Sequence, residues 1–257
     1  MNTRSSHSES GRFRPAVIAA LVVVPLAALG VVYALFFTGD SPDKLTLSDP
    51  PTTQAGSTAT TAGPTGETDS GSTASGSSLA GTWNVAGGSV AGYRVREKLA
   101  ALPAQSDAVG RTQSVTGTVT VTGSGSHLVA DAVNVEVDVS TLASDESRRD
   151  NRIRTSGLES NRFPKATFAS TQPVTLPTGT DEGQAVTTEV TGNLTVHGVT
   201  KLVTIPLDLR LTGGQGEVVG SLKFPFSDFG MTPPSVGGFV TVEPDATLEF
   251  KLLLARG

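Results

Sequence analysis

The sequence predicts an all-β fold: an eight-stranded antiparallel barrel, preceded by a single transmembrane helix and a disordered tether. Three observations point there. Residues 187–212 alternate strictly between apolar and polar side chains around a central His197-Gly198, the signature of two half-buried strands joined by a tight turn. Eight segments with this two-residue period follow one another after Gly81. No long stretch of that region carries the helical period.

The hairpin fixes its own register. Val190, Gly192, Leu194 and Val196 share one face of the first arm; Val199, Val203, Ile205, Leu207, Leu209 and Leu211 share one face of the second. A two-residue turn sets Val196 opposite Val199 and Leu194 opposite Lys201, which brings both apolar faces to the same side. A three-residue turn would oppose them.

From the N-terminus, the 257 residues carry a formal net charge of -5 and no cysteine. The charge excludes a strongly basic nucleic-acid binder. The missing thiols exclude disulfides, thiolate catalysis, cysteine zinc sites and iron–sulfur clusters. Residues 1–14 precede a charge-free run, Pro15 to Phe37, long enough to span a bilayer as a helix over 15–38. Arg4, Arg12 and Arg14 lie before it and Asp40 and Asp43 after it. The positive-inside rule therefore leaves 1–14 in the cytoplasm and the rest outside, in a single-pass arrangement at the cell membrane. A cleaved signal peptide would have a shorter core and a small-x-small site; this run ends in the bulky Tyr33-Ala34-Leu35-Phe36-Phe37. Residues 39–80 are rich in Ser, Thr, Gly and Pro. They read as a disordered tether, with an r.m.s. span of roughly 35 Å.

Trp83, the only tryptophan, opens the domain 81–257. The strand candidates are Val90 to Glu97, with Ala91, Tyr93 and Val95 inward; Ser114 to Thr122, with Val115, Gly117, Val119 and Val121; Leu128 to Ser140, with Val129, Val133, Val135, Val137 and Val139; and Ala166 to Leu176 around Phe168. The hairpin adds two. Glu217 to Phe226 aligns Val218, Gly220, Leu222, Phe224 and Phe226, and Asp245 to Leu254 aligns Ala246, Leu248, Phe250, Leu252 and Leu254. Eight such strands close well into an up-and-down barrel, with a two-sheet sandwich as the alternative. The inward residues are mostly small and aliphatic. They fill an eight-stranded lumen poorly, and an unfilled apolar lumen is where a guest goes. The expected lining is Tyr93, Val95, Val119, Val133, Val135, Phe168, Leu194, Val196, Ile205, Leu222, Phe224, Leu248 and Phe250.

The stretch Gly192-Asn-Leu-Thr-Val-His-Gly-Val-Thr-Lys201 resembles the G-x-L-T-x-H-G-V-T-[KR] signature of the YceI-like family of lipid-binding proteins. Leu142 to Asp150, Arg162 to Phe168, Phe226 to Gly230 and Gly81-Thr-Trp83 resemble its other segments in order. The resemblance implies a lipocalin-like barrel whose tunnel holds a polyisoprenoid or similar amphiphile, in an exported protein. Many members carry a histidine near the end of the first long strand; Arg96-Glu97 stands there in this chain, so a head-group contact made by that histidine does not transfer.

Between Asp145 and Lys165, six cationic residues face four carboxylates. Arg148, Arg149 and Arg152 read either as a head-group rim for a lipid phosphate or as a loop braced by ion pairs. His197 reads as a turn residue that fixes the hairpin. The Asp228-Phe229-Gly230 triplet lacks every accompanying kinase motif. No catalytic constellation and no metal-ligand spacing is legible. The expectation is a membrane-anchored, extracytoplasmic, non-enzymatic binding protein. Its partner is a long-chain isoprenoid or other amphiphilic lipid, with no cofactor beyond such a bound lipid or quinone, and no nucleic acid. A cell-envelope interaction module with a self-filled barrel and a lipid-modifying enzyme are the alternatives.

Overall fold

A computed structural model describes residues 41–49, 79–99, 105–212, 214–236 and 240–257. The expected tail 1–14, the transmembrane segment 15–38 and most of the tether lie outside the described residues. The domain is built from β1 (Gly81–Val85), β2 (Val90–Leu99), β3 (Gln105–Thr112), β4 (Val115–Ser124) and β5 (His127–Asp138). A short helix, α1 (Ser147–Thr155), comes next, then β6 (Lys165–Ser170), β7 (Val174–Thr175), β8 (Val186–Val196), β9 (Val199–Thr212), β10 (Gln215–Pro225), β11 (Ser235–Val236) and β12 (Val240–Arg256).

Every pairing is antiparallel. β1 and β2 run in line, as do β3 and β4. β1 pairs with β4 while β2 pairs with β3. The order then continues β4-β5-β6-β8-β9-β10-β12. The ring closes because β12 pairs along one edge with β10 and along the other with both β2 and β1. The result is the expected eight-stranded up-and-down barrel, not a sandwich. β8 and β9 pair Val196 with Val199 and Leu194 with Lys201. His197 and Gly198, at φ 53° and 74°, form the primed turn this register demands.

The seam between β1 and β2 depends on one hydroxyl. Ser89, 1% exposed, donates through Oγ to the Ala86 carbonyl at 2.8 Å and accepts from the Leu253 N–H at 2.9 Å. It replaces a ladder bond lost at the break.

Three expectations need correction. Val129 does not face inward. Between Thr120 and Val121 the partners on β5 jump from Ala132 to Ala130, and this bulge at Asp131 reverses the parity beyond it. Leu128 and Ala130 are buried in its place. The single strand expected over Ala166 to Leu176 is two, β6 and β7. The tether, expected disordered from 39 to 80, has an ordered portion at 41–49.

Residues 41–49 form a strap across the outer wall. Ser41 Oγ donates to the Asp107 carbonyl of β3 at 2.5 Å, and Arg94 of β2 donates to the Pro42 carbonyl at 2.7 Å. Arg111 of β3 reaches the Asp43 carbonyl. Lys251 of β12 donates to the Thr46 carbonyl at 3.1 Å. The Ser48 N–H donates to Glu217 of β10 at 3.0 Å, and Arg210 of β9 donates to the Ser48 carbonyl at 2.8 Å. On the same wall, Glu249 of β12 is 4% exposed and paired with Arg94 and Arg111 at 3.3 and 2.7 Å. Leu45 and Leu47, two of the three large apolar residues in 39–80, are half-buried.

Two predictions follow from these contacts. Ser89→Ala leaves the buried Leu253 N–H without its partner and should cost about 1–3 kcal/mol in urea unfolding; a loss within experimental error would show that the break needs no side-chain patch. For the strap, a chain starting at residue 41 should melt above one starting at residue 79. Burial raises the Glu217 pKa, but hydrogen bonds from Lys251 and Ser48 outweigh it and hold the carboxyl below its ordinary value. A depressed carboxylate contributes stability above its unfolded pKa of about 4.3 and loses it as pH falls through the folded value. The melting difference should therefore be present at neutral pH and shrink in acid below about pH 4. Equal melting of the two chains at neutral pH would contradict the strap's role.

Candidate functional site

The inward faces enclose one cavity of about 250 Å³ that runs between two hydrophobic clusters. One cluster holds Trp83, Val190, Leu211 and Leu254; the other holds Val95, Phe226, Phe229 and Met231. A water needs only about 10–15 Å³, and an apolar void stays dry and takes apolar guests.

Twelve of the thirteen expected lining residues line the cavity: Tyr93, Val95, Val119, Val133, Val135, Phe168, Leu194, Val196, Ile205, Phe224, Leu248 and Phe250. Leu222 does not. It pairs with Leu248 and packs against both clusters instead. Inward residues such as Val133, Val135, Leu248 and Phe250 remain only half-buried, because their free surface faces the cavity rather than another side chain. Leu194, at 3% exposure, is close-packed.

The α1 end of the cavity is roofed by residues the sequence pattern did not single out. Ile153 of α1, Leu158 just after it, and Met231 and Pro234 before β11 all reach the lining. They lie on a short helix and a loop, where a strand period carries no signal. At the opposite end Trp83 is 1% exposed, and its Nε1–H donates to the Leu79 carbonyl at 2.9 Å.

The charged residues in the lining are Glu97 and Arg149, and they face each other. Arg149 contacts Glu97 at 3.2 Å and Asp145 at 2.5 Å. Burial works against the Arg149 cation, but Glu97 and Asp145 outweigh it and hold its pKa above the ordinary value. The inward parity of β2 selects Glu97, while Arg96 points out and pairs with Asp107 at 3.0 Å. Of the three rim arginines, Arg149 alone lines the cavity. Arg148 is exposed, and Arg152 is exposed and donates to the Ser235 carbonyl at 2.6 Å. The neighbouring Asp150 accepts from the Ser144 N–H at 3.0 Å and from its hydroxyl at 2.6 Å. The arrangement around Arg149 answers to the bracing alternative.

Tyr93 sits beside this pair, opposite Gly110 of β3. A Cβ at position 110 would lie 2.3 Å from the Tyr93 ring, so only glycine leaves the ring its place. The Tyr93 hydroxyl is buried without a hydrogen-bond partner among the described residues. Burial pushes its pKa far above the ordinary range, partly offset by the Arg149 cation. His197 has no part in the cavity lining. Its Nδ1 meets the Phe229 carbonyl at 3.1 Å and its ring meets Phe163 edge-on at 4.6 Å, which ties the hairpin to the neighbouring loops.

A closed eight-stranded antiparallel barrel around an apolar cavity is a lipocalin-like fold. The chain belongs to the YceI-like domain family, whose model matches residues 84–254. It is 34% identical over 123 residues to a UPF0312 protein of Vibrio parahaemolyticus, covering 45% of this chain and 61% of that protein. It is 39% identical over 89 residues to a UPF0312 protein of an Enterobacter species, covering 34% and 41%. The chain thus spans less than two thirds of the curated relatives it matches. Among solved structures, a polyisoprenoid-binding domain from Saccharophagus degradans, implicated in plant cell wall breakdown, shares the fold. Its TM-score is 0.50 at 14% identity, covering 68% of this chain and 98% of that one.

Breaking the buried pair should be costly. Glu97→Ala leaves a largely buried cation with Asp145 as its remaining carboxylate, and loss of one partner of such a pair costs about 3–5 kcal/mol. The Glu97→Leu/Arg149→Leu double variant should recover most of that loss in urea unfolding. If Glu97→Ala unfolds within about 1 kcal/mol of wild type, the pair is a weak surface contact.

Proposed function

We propose that the domain is a non-enzymatic binding protein that holds the long apolar chain of an isoprenoid or similar amphiphile inside the barrel. The observation that carries this reading is the continuous cavity lined by Val133, Val135, Leu248 and Phe250, whose two charged residues neutralise each other. Membership of the YceI-like family and the barrel shared with a polyisoprenoid-binding domain support it. The charge-free run Pro15 to Phe37 supports an extracytoplasmic domain held at the membrane by an N-terminal helix.

Energetics limit what such a protein does. Each CH₂ moved from water contributes about 0.8 kcal/mol, but a bilayer offers nearly the same gain. Preference for the barrel over the membrane must come from fit and from the head group, which suits a carrier or holder better than a tight store.

The experiment pairs organic extraction and mass spectrometry with one variant. Wild-type protein should release a co-purified lipid. Leu248→Trp should release far less, while the delipidated variant melts no lower than wild type, since the added ring has free volume to enter. The same change in a packed core would cost about 1–3 kcal/mol. Destabilisation on that scale with lipid still bound, or no lipid from wild type, would contradict the reading.

A further inference from the structure

We infer that the guest enters and leaves the barrel through its side wall, between β9 and β10, by a gate that apolar side chains close and backbone hydrogen bonds do not. This rests on the lipid-holding reading above and adds the route to the cavity.

The register locates the gate. Val196 and Val199 flank a two-residue turn as a hydrogen-bonded pair, and bonded and non-bonded pairs alternate along an antiparallel ladder. Odd-numbered residues of β9 therefore bond to β8, and even-numbered ones face β10. The β9–β10 ladder begins at Thr212 with Gln215 and stops at Leu207 with Gly220, although β9 reaches back to Val199 and β10 runs on to Pro225. In the same register the next bonded pairs would be Pro206 with Ser221, Thr204 with Lys223 and Leu202 with Pro225. Proline has no N–H to give, and both prolines stand where that N–H would cross to the other strand. On their far sides β9 stays laddered to β8 and β10 to β12. The two strands part only from each other.

Apolar side chains fill the gap. Val203 and Leu222 are partly buried against both hydrophobic clusters without lining the cavity. The register turns Lys201 inward, opposite Leu194. Lys201 is nevertheless exposed while Leu194 is buried, so the wall beside it is open to solvent. Leu202, 66% exposed, stands on the outer lip. The contact of His197 Nδ1 with the Phe229 carbonyl ties the start of β9 to the segment after β10 and bounds the opening.

The other routes are shut more firmly. At the α1 end a guest must lift Ile153, Leu158, Met231 and Pro234 and break the Arg149–Glu97 pair. At the opposite end Trp83 is 1% exposed. The β6–β8 ladder also stops, at Ser170 with Gly192, but the Thr171 N–H bonds to the Thr191 carbonyl beyond it, and Val174 and Leu176 are buried. Moving Val203 and Leu222 aside breaks no ladder bond between β9 and β10.

The absence of cysteine makes the test direct. Lys223→Cys is combined with Thr204→Cys, across the gap, or with Thr247→Cys, at its ladder partner on β12. Each pair is joined by a short bis-maleimide. The full chain in detergent micelles is loaded with tritiated geranylgeraniol, and release into excess empty micelles is timed. The gap-spanning link should abolish release on the timescale of the unlinked protein, and the β10–β12 link should leave it unchanged. Pro206→Thr with Pro225→Thr, which restores both donors, should slow release by roughly tenfold and raise the melting temperature. In the wild type, amide exchange followed by NMR should alternate along β9, fast at Leu202 and Thr204 and slow at Lys201, Val203 and Ile205. Equal release from the two linked forms, or uniformly slow exchange along β9, overturns the gate while leaving the lipid reading standing. No probe retained above protein-free micelles overturns both.

Discussion

Closure of the sheet along β12 is the constraint on which the rest depends. This strand reaches from Val240 to Arg256 and pairs with β10 on one edge and with β2 and β1 on the other. Closure pairs both edges of most strands, leaving β3 with one laddered edge and a single bridge from Arg111 to Ala143 on the other, and commits the chain to a lumen of fixed girth. The side chains turned into that lumen are largely Val, Leu, Ala and Gly, so the girth exceeds what they fill. The cavity is therefore a consequence of strand number and residue size together. Neither a ninth strand nor a special motif is needed to explain it.

The seam carries the burden of closure, and the features that reinforce it cluster there. Ser89 bridges the gap where β1 gives way to β2. On the outer wall Glu249 of β12 binds Arg94 of β2 and Arg111 of β3. The strap of residues 41–49 bonds to five strands, β3, β2, β12, β10 and β9. Polar groups on the outside thus hold the strands that an apolar interior with open space holds less firmly.

Strand identity and direction were legible wherever each face kept its character. In β8, β9 and β10 most inward residues fall where the period places them, and β12 follows suit from Ala246 onward, past a register shift between Val242 and Ala246. The period fails where backbone or neighbours intervene. The bulge at Asp131 turns Val129 outward, and a bulge leaves no mark in an alternating sequence. β3 was missed because its inward residues, Ala108, Gly110 and Thr112, are small enough to make room for Tyr93 and its neighbours, and small residues show no hydrophobic face. The strap was hidden by its composition, since two leucines in a long Ser/Thr-rich stretch do not lift its average. At the site, alternation found twelve of the lining residues. It could not show that Arg149 would be neutralised by Glu97, because that pairing joins a helix to a strand 52 positions away in sequence.

The central claim is that an apolar chain lies inside the barrel, along the cavity between its two hydrophobic clusters. The most direct measurement is anomalous diffraction from crystals of the protein loaded with an isoprenoid brominated at the tail end. The bromine peak should lie inside the barrel. A bromine peak on the outer wall, with the lumen unfilled, would contradict the account.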